Sequence, residues 1–234
     1  MMLLKKKNLF ILLIFIIIVV YLNIKNTNDR TIYFPIKEIS IESKIINTSK
    51  DDVFEKSKNY LNSKSFFNFK INILKKEIEK VSWVKSADIR RVYPGEIKIY
   101  IEEHEPIAIW NNKSYMNDTG DIFFIRDIEK KLPVINSNKN RNKIMFVYFS
   151  LLLKYISDYN FDIKIKKIEE NDIRSLSAYL SSGIIVKFGS KDIKDKIHTF
   201  IKLYKTLNSS DLRKIGYIDM RYSNGFSIGW KGVK

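Results

Sequence analysis

Glu102, Glu103, His104 and Glu105 place three carboxylates beside an imidazole. An imidazole that titrates near neutrality next to carboxylates suits proton transfer, and the same set suits a metal ion. Neither use is completed by the rest of the sequence. The second histidine, His198, is remote, and no further ligand set accompanies either one. The expectation is that His104 sits at a solvated strand end and His198 packs beside the apolar stripe of a helix. Cysteine is absent, which excludes disulfides and thiolate zinc sites. A nucleophile elbow, a phosphate-binding loop and a dinucleotide fingerprint are also missing. The reading is no enzyme, with no cofactor, metal or small-molecule substrate. A membrane-tethered cell-wall enzyme using the glutamate cluster is the rival, and turnover of peptidoglycan is the observation that separates the two.

The elements that carry these residues fit two modest units in 234 residues. With 45% hydrophobic and 13% aromatic residues the chain has the material for buried cores and lacks the profile of disorder. A net charge of +16 suits nucleic acid or anionic lipid as partner. The lysines are dispersed, however, without a stripe of stacking aromatics, so a generally basic solvated surface and no nucleic-acid partner are expected.

At the amino terminus the basic cluster Lys5, Lys6, Lys7 precedes an apolar run from Leu9 to Leu22. The following segment, YLNIKNTNDR, offers no pair of small residues to a signal peptidase, so an uncleaved anchor is expected. Extended from Asn8 to Ile24 the run reaches the lower limit for a span, with lysines able to snorkel. The positive-inside rule keeps residues 1–8 in the cytoplasm and sends the chain beyond residue 25 across the membrane. The division is then a cytoplasmic end at 1–8, a transmembrane helix at 9–24 and a linker at 25–34, followed by folded units at 35–103 and 104–234.

In the first unit, Ile39 and Ile41 alternate with polar residues as a half-buried strand. Ser49 with Asp52 resembles a capping box, and Val53, Ser57, Tyr60 and Leu61 share one helical face. Asn72 is placed to cap a second helix through Leu74, Ile78 and Val81. Two strands flank Pro94-Gly95, read as a type II turn with Ile97, Ile99 and Ile101 facing the core. The order is β-α-α-β-β.

The second unit begins with a strand at Pro106 to Trp110 and a turn at Asp118 to Gly120. A second apolar patch follows at 131–135, then a buried helix over Ile144 to Tyr155, too short to span a bilayer. Two or three short strands lie between Ile163 and Phe188. A helix after Ser190 carries the stripe Ile193, Ile197, Phe200, Ile201 and Tyr204. The closing segment, YIDMRYSNGFSIGW, reads as a hairpin. A three-residue loop, Ser223 to Gly225, keeps apolar faces together by pairing Tyr222 with Phe226, Met220 with Ile228 and Ile218 with Trp230. If the last strand lies at the sheet edge, its open backbone groups form a docking template.

The string VSWVKSADIRRVYPGEIKIYIEEHEPIAIW, Val81 to Trp110, is similar to the signature of the FtsQ/DivIB family of bacterial division proteins, and the β-α-α-β-β unit resembles a POTRA domain. The matching features are Trp83-Val84, Ala87 to Arg91, Tyr93-Pro94 and Glu103 to Trp110; many members carry Trp where Tyr93 stands. The resemblance implies an α+β fold in which a transmembrane helix and a POTRA domain precede a second α+β domain with an antiparallel sheet ending in an edge hairpin. It implies a scaffold in the inner membrane, single-pass type II, with periplasmic domains at the division septum. FtsB, paired with FtsL, would bind the terminal strand, and other divisome proteins the POTRA domain. By motif position it assigns partner contacts to Arg174, Tyr222, Asn224, Gly225 and Trp230. A POTRA-type chaperone of secretion or outer-membrane assembly is the alternative.

Overall fold

The computed structural model describes residues 13–21, 34–126, 131–223 and 225–232. Residues 13–21 are a helix (α1) whose side chains are all exposed. Among the described residues no helix is long and apolar enough to cross a membrane, and the rest of the expected span at 9–24 lies outside them. From residue 34 the chain divides into two compact units. The first holds the stretch ending at Lys44 with Ser49–Glu79 and Ala87–Ile101; the second holds Ile45–Thr48, Lys80–Ser86 and the chain from Glu102 onward.

The β-α-α-β-β order is present as β1 (Glu38–Ile41), α2 (Lys50–Leu61), α3 (Ile71–Ile78), β2 (Val84–Val92) and β3 (Glu96–Glu103), with sheet order β1-β3-β2. β1 runs parallel to β3, a pairing that needs a crossover, and the two helices lie in the intervening chain. Ser49 caps α2 as its spacing predicts, its Oγ accepting the Asp52 N–H at 3.1 Å. Val53, Leu74, Ile78, Ile97 and Ile99 are wholly buried.

Two local features differ from expectation. The cap of α3 is Lys70, not Asn72. The Tyr60 hydroxyl accepts the Lys70 N–H at 3.0 Å and donates to its carbonyl at 3.2 Å, which fixes the entry backbone without a side-chain cap. The β2–β3 turn runs from Val92 to Gly95, with Gly95 N–H donating to Val92 O at 3.2 Å and a cis Tyr93–Pro94 bond. Pro94 is thus the third residue of the turn and Gly95 does not take a positive φ, so it is not type II. Glycine serves close approach instead: a Cβ at 95 would lie 3.1 Å from both Pro35 O and Lys37 Cγ, where Gly95 O accepts the Lys37 N–H at 2.8 Å.

In the second unit nine strands form one sheet: β4 (Pro106–Trp110), β5 (Ser114–Asn117), β6 (Ile122–Phe123), β7 (Val134–Asn136), β8 (Ile165–Glu170), β9 (Leu176–Leu180), β10 (Ile185–Gly189), β11 (Ile215–Asp219) and β12 (Ser227–Trp230). Their order is β12-β11-β10-β9-β8-β7-β4-β5-β6. The expected antiparallel sheet is in fact mixed, since β7 pairs in parallel with β4 and β8, and β10 with β11. Helices cause this. α4 (Asn142–Asp158) joins β7 to β8, while α5 (Ile193–Thr206) and α6 (Ser209–Lys214) join β10 to β11, the long connections that parallel neighbours need.

The stripe Ile193, Ile197, Phe200, Ile201 and Tyr204 on α5 is buried throughout, as its periodicity predicts. α4 is buried on one side only: Met145, Phe149 and Leu152 are covered while Ile144, Val147 and Leu153 are exposed. Its inner face joins α5 and the central strands in a core that includes Ile168, Ala178, Val186 and Ile218. Arg141 and Glu170 support one end of the sheet, the guanidinium bonding the carboxylate at 3.0 and 2.6 Å while Ser137 Oγ donates to it at 2.6 Å.

Candidate partner-docking edge

The glutamate run is divided among separate structural tasks. Glu102 pairs with Lys85 at 2.8 Å and accepts from Ser86 Oγ at 3.0 Å; the lysine's hydrogen bond holds its carboxyl below the ordinary pKa. Glu103 accepts the backbone N–H groups of Ile46, Asn47 and Thr48 at 3.0, 2.9 and 2.5 Å. Glu105 is exposed. His104 follows the end of β3 as expected but is only partly solvated: its ring stacks on Phe123 at 4.0 Å, and Nδ1 lies 3.0 Å from the Asn117 amide nitrogen. Burial, reinforced by the Lys85 charge, lowers its pKa. His198 is half-buried against Tyr155, 5.6 Å between centroids. No cluster of three or more potential metal ligands occurs among the described residues.

The terminal strand presents a different opportunity. β12 pairs with β11 and, among the described residues, with no other strand. Its partners are Asp219↔Ser227, Ile218↔Ile228, Tyr217↔Gly229 and Ile215↔Trp230, with an irregularity between Ile215 and Tyr217. The expected register is therefore wrong by two residues, and residues 220–226 connect the strands in place of a three-residue loop. Asp219 is the cause. Its buried carboxylate accepts the Arg221 backbone N–H at 3.0 Å and the guanidinium at 2.6–2.9 Å, turning the chain away from β12. Met220 N–H meanwhile donates to Lys187 O at 2.8 Å, keeping the chain beside β10. A shift of two preserves the faces, so Ile218 and Ile228 still share the core side.

Lys231 N–H donates to Lys214 O at 2.7 Å. The alternation of an antiparallel ladder then directs the N–H and C=O groups of Ile228 and Trp230 to the open flank. The outer face is shaped by Gly229. A Cβ there would stand 2.0 Å from Tyr217 Cε1, so the tyrosine ring lies directly over the glycine backbone. Lys187 Nζ covers the same ring at 4.6 Å. Tyr217, Tyr222, Phe226 and Trp230 are all exposed around this edge. Beside the 220–226 loop, a cavity of about 280 Å³ opens against the start of α5, lined by Asp192, Lys196, Arg221 and Tyr222 among others. Hydrogen bonding to Arg221 holds the Asp219 carboxyl below its ordinary pKa, outweighing burial.

The structure brings some of the expected site residues together and separates others. Tyr222 and Gly225 share the loop and line that cavity, and Asn224 lies outside the described residues. Arg174 occupies the β8–β9 turn with φ +60, its N–H donating to Asn171 O at 2.8 Å. It is exposed, forms no salt bridge among the described residues, and helps lower the pKa of Glu170. Strand directions put this turn at the same end of the sheet as the 220–226 loop, and β9 stands three strand spacings, about 14 Å, from β12. Trp230 is at the opposite end of β12. Sequence reasoning missed Ile173, 77% exposed beside Arg174, and the pairing of Tyr217 with Gly229. An isolated glycine in a strand signals close approach and could have disclosed the second.

Two family profiles match the chain. One, described as POTRA domain, FtsQ-type, covers residues 34–104; the other, cell division protein FtsQ/DivIB, C-terminal, covers residues 108–221. The chain is 25% identical over 213 residues to the cell division protein FtsQ of Haemophilus influenzae, covering 90% of this chain and 83% of that protein. It is 25% identical over 199 residues to the protein of the same name from Aliivibrio fischeri, covering 84% and 77%. Over 171 residues it is 29% identical to that of Vibrio cholerae, covering 71% and 64%.

Proposed function

The chain belongs to the FtsQ/DivIB family of bacterial cell division proteins, and from that premise we propose that it is a non-enzymatic bitopic membrane scaffold of the divisome. It recruits an FtsB–FtsL complex through β12 and helps regulate septal peptidoglycan synthesis. The observation that carries this reading is the open flank of β12, framed by exposed Tyr222, Phe226 and Trp230. An extended partner segment adds there as a further strand, its main chain meeting the outward groups of Ile228 and Trp230. Gly225 lies in the loop it passes, Asn224 is a further contact in this reading, and exposed Arg174, which forms no salt bridge among the described residues, suits an acidic side chain at that end.

In this reading the apolar residues 9–24, helical where described at 13–21, anchor the chain in the inner membrane with residues 1–8 cytoplasmic. Residues 25–34 link the anchor to the POTRA domain at 35–103, which meets other divisome proteins. Residues 104–234 form the partner-binding domain. Co-purification with FtsB–FtsL from detergent-solubilised membranes is the test. Tyr222→Glu and Trp230→Glu should each abolish capture with the fold intact, and undiminished capture by both removes β12 as the docking strand.

A further inference from the structure

A second exposed aromatic feature lies in the first unit. Phe34 and Phe67 are 56% and 59% exposed, yet their rings meet edge to face at 5.3 Å. They are held in place from beneath. Phe34 O accepts the Phe66 N–H at 2.8 Å, Pro35 bridges Ser65, and buried Phe66 contacts Phe67 at 5.1 Å. Two aromatic side chains of this size, kept together in water, are an unsatisfied apolar surface.

Its surroundings are cationic. From Lys56 to Lys76 the chain carries six lysines and no carboxylate. Lys58 and Lys64 edge a cavity of about 250 Å³ whose walls include Pro35, Ile36, Ile39 and Leu61. Lys37, Lys58, Lys64 and Lys70 form no salt bridge among the described residues, so their charges remain available to an external anion.

We propose that the Phe34–Phe67 pair and its lysine border form a docking surface for an anionic phospholipid bilayer. The inference rests on the membrane-anchor reading above. If the span ends at residue 24, residues 25–33 reach at most about 30 Å even when fully extended, so Phe34 stays within reach of the bilayer. The phenyl rings enter the interface while lysines meet lipid phosphates, the division of labour by which aromatic and basic residues hold peripheral segments on membranes. The surface would fix the first unit against the membrane and leave the β12 edge to protein partners.

The experiment uses the full chain, which lacks cysteine, with a nitroxide on Asn68→Cys beside the patch and a control label on Ser182→Cys in the second unit. It is reconstituted into vesicles of phosphatidylcholine alone or with a third phosphatidylglycerol. Collision with a water-soluble nickel complex should fall at residue 68 in the phosphatidylglycerol vesicles and not at residue 182. Lys58→Gln should restore accessibility about fivefold, the effect of one cation near an anionic surface, and Phe34→Ser with Phe67→Ser should restore it fully.

Alkaline extraction of the same vesicles reports the anchor separately. A retained chain whose residue 68 is equally accessible in both lipids overturns the docking surface alone. An extracted chain overturns the anchor; flotation with phosphatidylglycerol vesicles that depends on Phe34 and Phe67 then still supports the surface, and its absence overturns that too.

Discussion

Gly229→Ala introduces one methyl group where the structure has no room. The new Cβ would lie 2.0, 2.3 and 2.5 Å from Tyr217 Cε1, Cζ and Cδ1, so the ring must leave its place over β12. Relocation forfeits the cation–π contact with Lys187, about 0.5–1 kcal/mol at an exposed site, and uncovers the strand backbone. Overpacking of this kind costs about 1–3 kcal/mol. The loss is local, so it is read best by hydrogen exchange of the Lys231 amide, whose bond to Lys214 O closes this end of the strand pair. Protection should fall by about one order of magnitude or more, since about 1.4 kcal/mol corresponds to tenfold. Tyr217→Ala should lose less, and the double variant should match Tyr217→Ala alone because the clash no longer exists. Unchanged protection in Gly229→Ala, or strictly additive losses in the double variant, would refute the claim that the tyrosine ring and the glycine define this edge.

Arg141→Ala leaves the Glu170 carboxylate, 3% exposed, with Ser137 as its remaining side-chain hydrogen-bond donor, and should cost about 3–5 kcal/mol in urea unfolding of the second unit; Arg141→Ala with Glu170→Leu should recover much of it. Glu103 is ionised in the fold despite partial burial, because hydrogen bonding from the 46–48 segment, Thr48 first, together outweighs desolvation and holds its pKa below the ordinary value. A depressed carboxylate stabilises fully above its unfolded pKa of about 4.3 and loses that contribution as pH falls through the folded value. Glu103→Gln should therefore lower stability at pH 7 and flatten the acid limb of a thermal-melting profile. Gly95→Ala should push residues 35–37 away from the β2–β3 turn, weakening exchange protection of the Lys37 amide by about 1 kcal/mol or more, while the amides of β10 stay unchanged.

Features set by local periodicity were legible from the residues. The α5 stripe, the Ser49 cap and the inward face of Ile97, Ile99 and Ile101 follow from the 3.6 and 2.0 repeats and from N-cap chemistry. Strand direction was not, because alternation looks alike in parallel and antiparallel neighbours, and only the placement of α4 and α5 makes β7–β8 and β10–β11 parallel. The closing hairpin lay between these cases. Its faces were readable from alternation, while its register depends on the Asp219–Arg221 contact, which no spacing rule encodes. Tyr60 acting on the Lys70 backbone belongs to the same class. At the candidate site, Tyr222 and Trp230 were assigned through the family resemblance and not through any spacing rule, whereas exposed Ile173 owes its position to the β8–β9 turn.

β12 has only four residues, a length that carries a consequence for the crowded space around a septum. So brief a ladder offers little purchase to an intruding strand, and two copies of a chain at +16 repel before their margins can zip together. Illicit sheet extension, the usual hazard of a naked margin, is thereby discouraged without sealing it. In the proposed docking mode, a legitimate visitor must supplement a short run of main-chain bonds with side chains that reach beyond both ends of the strand, which would place selectivity in the flanks and not in the ladder.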